Sequence, residues 1–214
     1  MAEIQTATLT ARHPLEGYRD LLEALSAELA PALALELGGL VAAVDLRVDP
    51  AGGGPAAVEQ VVGGPLPTRP DTWTALPAGQ ALRLGPDEWL LTSAAAQPED
   101  WEFAVDEAAA AHGGMAVDVS AQRTALRLRG GAARELLTTG CALDLRPRSF
   151  PHGRCAQTLF GQAAVVLVAH GGDDLQVLVR PSFAAHVVDR LVDAATEYRP
   201  DPSPESGPAS WETP

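Results

Sequence analysis

The feature that most constrains this fold is the segment 118–160, in which several secondary-structure signals follow one another. It begins with an alternating stretch, Arg123–Arg129, that puts Thr124, Leu126 and Leu128 on one face and arginines on the other. A period of two residues indicates a half-buried strand, and here the outer face of that strand is basic.

The rest of this segment continues the pattern. Glycines at 130–131 end the strand signal, and the apolar spacing of residues 133–137 predicts a short helix. Gly140 stands where a left-handed helix cap is expected. A second strand is predicted from about Arg154 to Phe160, so the segment has the order strand, helix, loop, strand.

Similar signals extend along the chain. Apolar spacing predicts a helix that Pro31 ends, another from Pro98 to the glycines at 113–114, and a last one that Ser182 caps. Residues 63–79, rich in proline and glycine, are predicted to form a surface loop. Further strands are predicted at 41–48, 58–62, 81–84, 88–92, 115–119, 164–169 and 175–180.

These elements predict the α+β fold class, with two similar lobes of short, mostly antiparallel strands covered by helices. We expect the lobes to span approximately 13–114 and 115–198. A flexible N-terminal arm, 1–12, and a disordered proline-rich tail, 199–214, are expected to flank them.

Charge and apolar patterning restrict the partners and the location of the chain. It has a net charge of -13 and no lysine, which disfavours nucleic-acid binding. The longest apolar run, Ala163–Ala169, is far shorter than the roughly 20 residues of a membrane span. The first residues lack the features of a secretory signal, and there are only two cysteines, Cys141 and Cys155. We therefore expect a cytoplasmic protein with buried, reduced thiols.

Motifs for cofactors and metals are missing from the sequence. The nearest dinucleotide fingerprint, Gly52-x-Gly54, has Ala57 in place of the third glycine and no helix signal behind it. A phosphate-binding P-loop needs a lysine. The histidines lack the spacing of zinc ligands, and we expect His170 and His186 to be surface residues. The prediction is therefore no catalytic residue, no cofactor and no metal in this chain.

The unusual feature is an excess of arginine. Residues 119–160 contain seven arginines against Glu135 and Asp144, a balance of +5 in an acidic chain. Three interpretations stay open: a solvated strand face, a subunit interface, and a site for an anionic ligand such as a folate tail. We predict that the interface residues are Arg123, Arg127, Arg129, Arg146, Arg148, His152 and Arg154.

Several motifs carry a family resemblance that spans roughly residues 12–198. The chain resembles the gamma subunit family of heterotetrameric sarcosine oxidase and, more distantly, folate-binding aminomethyltransferase-type domains. The motifs are Leu84-Gly-Pro-Asp-Glu-Trp-Leu90, Asp118-Val-Ser120 with Arg123, Leu128-x-Gly130, Ala133-x-x-Leu136-Leu137, Cys141-x-Leu143-Asp144-Leu145 and Phe150-Pro-x-Gly153-Arg154-Cys155-x-x-Thr158.

The resemblance implies an accessory subunit that assembles with alpha, beta and delta subunits. In that family the complex oxidatively demethylates sarcosine to glycine, forms hydrogen peroxide and passes the one-carbon unit to tetrahydrofolate. FAD, FMN, NAD and tetrahydrofolate are then expected in other subunits. The alternatives are a stand-alone folate-binding or aminomethyl-transferring protein, for which no matching catalytic aspartate is found, and an unrelated scaffold domain.

Overall fold

The computed structural model describes residues 12–199. Its helices are α1 (Arg19–Leu29), α2 (Gly54–Val62), α3 (Pro98–Ala110), α4 (Ala133–Thr138) and α5 (Pro181–Ala195). Its strands are β1 (Ala34–Leu37), β2 (Ala42–Arg47), β3 (Trp73–Leu76), β4 (Gly79–Arg83), β5 (Glu88–Ser93), β6 (Met115–Asp118), β7 (Thr124–Arg129), β8 (Cys155–Phe160), β9 (Ala163–Gly171) and β10 (Asp174–Val179).

The strands form two five-stranded antiparallel sheets. Sheet I has the order β1-β7-β10-β9-β8, and sheet II has the order β3-β4-β5-β2-β6. One core lies between sheet I and the helices α1, α4 and α5, and a second lies between sheet II and the helices α2 and α3. A third cluster joins the inner faces of the sheets, where Leu82 and Leu90 of sheet II pack with Val166 and Leu178 of sheet I. The molecule is therefore two sheets packed face to face, with helices on both outer surfaces.

The alternating strand at the centre of the sequence analysis is confirmed. In β7, Thr124, Leu126 and Leu128 are buried, whereas Arg129 is exposed. The predicted apolar face of α5 is confirmed as well, and full burial of one aliphatic side chain such as Leu191 contributes about 1.5–3 kcal/mol.

The two sheets do not coincide with the predicted lobes, 13–114 and 115–198. Strand β1 comes from the first segment but pairs with β7 of sheet I, and β6 comes from the second segment but pairs with β2 of sheet II. Each predicted lobe therefore contributes one strand to the sheet of the other, and a boundary at residue 114 is wrong. The predicted terminal arm and tail lie almost wholly outside the described residues.

Two stretches have different secondary structure from that predicted. Residues 58–62, predicted as a strand, belong to α2, because Val58 and Val62 lie one helical turn apart and are both buried. A helix therefore does follow Gly54, although the third glycine of the fingerprint is still absent. The predicted loop 63–79 contains β3, which pairs with β4.

Two predicted helix caps are also wrong. Gly140 does not adopt a left-handed conformation; a side chain there would lie 2.7 Å from the Phe160 ring, so the close contact explains the glycine. Ser182 lies inside α5, which begins at Pro181 with Arg180 as the preceding residue and no side-chain cap. Proline suits this first position because its missing N–H group has no helical partner there.

Candidate functional site

Arg127 and Arg129 form ion pairs within the chain. Arg127 binds both carboxylate oxygens of Asp174, with Nη2 2.8 Å from Oδ2. Arg129 donates from Nη1 to both oxygens of Glu36, at 2.8 and 3.0 Å, and its Nε lies 3.5 Å from Asp174 Oδ2. The strand register brings these groups together, since Asp174 is opposite Arg129 on β10 and Glu36 is opposite Arg127 on β1. Their carboxylate partners thus come from neighbouring strands of sheet I.

Arg134 is the most buried member of the arginine-rich segment, with 8% of its surface exposed. Its Nη1 donates to the carbonyl oxygens of Leu145, at 2.5 Å, and Phe150, at 3.1 Å. Its Nη2 donates to Gly172 O at 2.7 Å, and Nε lies 3.3 Å from Asp173 Oδ1. One guanidinium group therefore ties the loop after α4 to the turn between β9 and β10.

Four of the predicted interface residues, Arg146, Arg148, His152 and Arg154, lie in the loop between α4 and β8. Arg146 donates to Asp144 at 2.6–2.7 Å, and this hydrogen bond, with one from Ser149, holds the pKa of Asp144 well below its usual range. Arg148 and His152 are exposed, and His152 lies edge-on to Trp73 with ring centroids 5.5 Å apart. Arg154 Nη2 is 3.8 Å from a carboxylate oxygen of Asp71.

The local charge excess is thus neutralised by carboxylates from other parts of the chain. Glu36, Asp71, Asp173 and Asp174 all lie outside residues 119–160, and each pairs with an arginine inside that range. Within residues 12–199, two of the seven arginines have no carboxylate oxygen within 4.0 Å: Arg123, which is half-buried, and Arg148. The predicted subunit interface stays a prediction, and most of its arginines are already paired.

Arg123 and Arg127 both line a crevice of about 280 Å³ between the two sheets. We call it the intersheet crevice. It is lined by Gly38, Gly39, Val41, Ala43, Ala78, Gly79, Gln80, Leu90, Thr92, Ala94, Arg123, Thr124, Ala125, Arg127, His170, Gln176 and Leu178. Arginine residues reach it because the basic face of β7 is directed towards sheet II.

A hydrogen-bonded chain crosses the crevice. Gln80 Nε2 donates to Gln176 Oε1 at 2.9 Å, and His170 Nε2 lies 3.2 Å from the same oxygen. An amide oxygen only accepts, so His170 must carry its proton on Nε2. Burial lowers the pKa of His170; the Gln176 hydrogen bond opposes this shift, and the charge of Arg127 adds to it. The Trp73 ring covers the imidazole, with centroids 4.6 Å apart.

These crevice residues were missed by sequence reasoning. His170 was predicted to lie on the surface but is half-buried, whereas the exposure predicted for His186 is confirmed. Gln80 and Gln176 occupy strand positions that look like ordinary polar faces in the sequence. Their position between two sheets depends on how the sheets stack, for which neither strand contains a local signal.

The Asp118–Ser120 motif shapes the backbone, as predicted. Asp118 Oδ1 accepts hydrogen bonds from the Ser120 N–H, at 2.9 Å, and from the Ser120 hydroxyl, at 2.5 Å. Ser120 Oγ in turn accepts from the Ala43 N–H at 2.8 Å. This contact fastens the connection between β6 and β7 to β2, so it links sheet II to the start of β7 in sheet I.

Both thiols are buried. Burial raises the pKa of Cys155 to about 12, an effect that the charge of Asp71 reinforces and that of Arg154 opposes. Cys155 is therefore a protonated thiol at neutral pH. Within residues 12–199 there is no cluster of three or more histidine, cysteine, aspartate or glutamate side chains placed to hold a metal ion. No helix in this range is long and apolar enough to cross a membrane.

Comparison with known proteins assigns the family. Residues 46–197 match the sarcosine oxidase gamma subunit family. The chain belongs to that family. This sarcosine oxidase gamma subunit family member is 36% identical over 162 residues to sarcosine oxidase subunit gamma of Corynebacterium sp. (strain P-1), covering 74% of this chain and 78% of the relative. It is 35% identical over 196 residues to the subunit gamma of an Arthrobacter species, covering 90% and 93%.

Solved structures agree with this assignment. A chain of the heterotetrameric sarcosine oxidase from Corynebacterium sp. U-96, in complex with pyrrole 2-carboxylate, superimposes on this gamma-family chain with a TM-score of 0.80 at 29% identity. The match covers 91% of this chain and 99% of that one. Aminomethyltransferase T of the glycine cleavage system from Bartonella henselae gives a TM-score of 0.55 at 14% identity, over 80% and 48% of the chains. That likeness is one of fold alone, and the predicted α+β fold class is confirmed.

Proposed function

We propose that this chain is the accessory gamma subunit of a heterotetrameric sarcosine oxidase and assembles with its alpha, beta and delta subunits. One observation carries the proposal: the structural match to 99% of a chain taken from such a complex, at a TM-score of 0.80. The relatives that share this fold at 35–36% identity are themselves called subunit gamma.

In this proposal the oxidation takes place in other subunits. The complex would convert sarcosine and oxygen to glycine and hydrogen peroxide, while tetrahydrofolate accepts the one-carbon unit; FAD, FMN, NAD and folate would bind outside this chain. The structure supports an accessory role because side chains of types that often take part in catalysis have structural roles here. Arg134 ties a loop to a turn, His170 belongs to a network between sheets, and Cys155 is a buried, protonated thiol.

Assembly is tested by co-expression. The four subunits are produced together with an affinity tag on alpha, and production is repeated without this chain. We expect this chain to co-purify in equimolar amount, and its omission to reduce the yield of a complex that forms peroxide from sarcosine. If the chain does not co-purify, the proposed assembly is wrong. Sarcosine-dependent peroxide formation by the chain alone would contradict the accessory role.

The exposed part of the predicted interface deserves the first test of docking. Arg148 and His152 lie in the same loop, and neither forms an ion pair with another residue of the range 12–199, unlike Arg127 and Arg129. We propose that this loop contacts another subunit through charge. The double variant Arg148→Glu, His152→Glu should reduce co-purification with alpha, whereas Arg190→Glu on the exposed side of α5 should not. If the double variant and the Arg190→Glu variant co-purify with alpha to the same extent, the loop does not contact another subunit through charge.

A further inference from the structure

The intersheet crevice is lined by one arginine, Arg123, that has no carboxylate partner within ion-pair distance among residues 12–199. Arg123 lines it and is half-buried, yet its guanidinium group forms no hydrogen bond and no ion pair within 4.0 Å to any residue in the range 12–199. Burial lowers the pKa of Arg123, and the charge of nearby Arg180 lowers it further. Partial burial of a charge is costly unless a partner compensates it. The position therefore favours a negatively charged group.

Two carboxylates attract Arg123 electrostatically, but neither forms an ion pair with it. Asp45 and Glu88 attract it electrostatically, but both lie beyond ion-pair distance and neither lines the crevice. Asp45 is itself half-buried, its Oδ1 atom has no hydrogen-bond partner among the described residues, and burial raises its pKa. Arg47 Nε lies 3.9 Å from the same oxygen, so the cation nearest to Asp45 is Arg47 and not Arg123.

The second arginine of the crevice increases the positive potential. Arg123 directly precedes β7 in extended backbone, and Arg127 lies on the same side, four residues and roughly 13 Å further along. Its charge is matched by one carboxylate, Asp174, which Arg129 shares at 3.5 Å. His170 adds no charge, because burial lowers its pKa. The crevice therefore has an excess of positive charge in a chain of net charge -13.

The walls of the crevice are apolar next to this charge. Val41, Leu90 and Leu178 line it, with Ala125 between the two arginines on β7. Its volume of about 280 Å³ is near the lower limit of ligand sites, which typically measure ~300–1,000 Å³. An opening of this size admits a single ring or a short aliphatic chain, and the combination of an apolar wall and a guanidinium group is selective for a carboxylate with an apolar body.

We propose that the intersheet crevice binds a small carboxylate, with its charged end on Arg123 and its apolar body against the side of the wall that Leu90 and Leu178 form. This inference concerns the chain itself and is independent of its assembly with other subunits. A carboxylate side chain of a partner subunit is the competing occupant. That occupant would fill the crevice in the assembled complex, so it predicts benzoate binding by the isolated chain but not by the complex, and titration of both separates the two.

Benzoate is a suitable probe because it combines one ring with one carboxylate, and benzamide has the same shape without the charge. Titration of the purified full-length chain should show saturable benzoate binding with a dissociation constant of about 1 mM or below, and at least tenfold weaker binding of benzamide. Arg123→Gln should weaken benzoate binding at least tenfold, whereas Arg148→Gln should leave it unchanged. Thermal unfolding of each variant establishes that it is folded.

A second variant tests the location without altering charge. Val41 is 37% exposed at the crevice, so Val41→Trp can fill the space with little effect on the core. We expect this variant to lose benzoate binding while it retains Arg123 and a cooperative unfolding transition. Absence of saturable benzoate binding to the wild-type chain overturns the proposal, as does equal binding of benzoate and benzamide. Wild-type affinity in the Arg123→Gln or Val41→Trp variant overturns it as well.

Discussion

Gln80 donates a hydrogen bond of 2.9 Å to Gln176, and this contact joins two side chains 96 residues apart on different sheets. Around it the sheets meet through apolar side chains, which pack without directional preference. A buried polar pair does have a preferred geometry, because each group must find its partner. The Gln80–Gln176 pair therefore fixes the position of sheet II on sheet I at the crevice.

A double-mutant cycle measures this contact. Gln176→Leu should cost more stability than Gln80→Leu, because it removes the acceptor of both Gln80 and His170. Each single variant should lose about 1–3 kcal/mol. The double variant should lose about 1 kcal/mol less than the sum, as measured by urea unfolding. Additivity within about 0.3 kcal/mol would show that the pair contributes no coupling.

Among the arginines of residues 119–160, we expect substitution of Arg134 to reduce the free energy of unfolding most. Arg134→Met keeps the length of the side chain but removes the donors for Leu145 O, Phe150 O and Gly172 O. We expect urea unfolding to show a loss of about 3 kcal/mol or more, since buried carbonyl groups are left unpaired. The matched variant Arg148→Met changes an exposed side chain and should stay within about 0.5 kcal/mol of wild type. Similar losses in both variants would contradict this role.

The local pattern of the sequence contains enough information for much of the secondary structure. Burial alternates along β7 because side chains on a strand point to opposite faces, and the face of α5 follows from helical spacing. The pattern failed at α2, where the β-branched Val58 and Val62 suggested a strand although their spacing of four residues suits a helix.

Long-range pairing explains the remaining differences. Strand β1 pairs with β7 about ninety positions later, and the period of two in each strand indicates a buried face but not a partner. The same limit applies to the site. The arginine excess of residues 119–160 is visible in the sequence, whereas its neutralisation by Asp174 and Glu36 is visible only once the strands are in register.

The ion pair of Asp174 predicts an acid-dependent loss of stability. Burial alone would raise the pKa of Asp174, but the hydrogen bond and charge of Arg127, together with the charge of Arg129 and, in acid, that of protonated His170, keep it below its usual value. Because the folded-state pKa is lowered, its contribution is present above the unfolded pKa of about 3.9 and is lost as pH falls through the folded-state value.

Asp174→Asn should therefore destabilise the protein by about 1–2 kcal/mol at pH 7, and the difference from wild type should shrink below about pH 4. Urea unfolding over this pH range measures the effect. Glu36→Gln is the control: Glu36 pairs with Arg129 where both side chains are 49% exposed, so its loss should cost less than about 1 kcal/mol. A difference between Asp174→Asn and wild type that does not change with pH would exclude the carboxylate as its origin.

Cys155 predicts the opposite behaviour in alkali. The fold raises the pKa of this thiol from its ordinary value of 9.0 to about 12, mainly through burial. Because the folded-state pKa is raised, the resulting stability is complete below the unfolded pKa of about 8.5–9 and is lost as pH rises towards 12. The absence of lysine makes this range unusually simple, since the side chains that titrate in it are two tyrosines and two cysteines.

Cys155→Ala should therefore be less sensitive to alkali than wild type. At pH 7 the variant is expected to be slightly less stable, because a small cavity replaces the sulfur atom. Above about pH 9 the wild type should lose up to about 1.4 kcal/mol more per pH unit than the variant, so the two stability curves should converge. Urea unfolding between pH 7 and 11 measures this, with Cys141→Ala as the buried-thiol control. Parallel curves for Cys155→Ala and wild type would show that the thiol is as easily ionised in the folded chain as in the unfolded one.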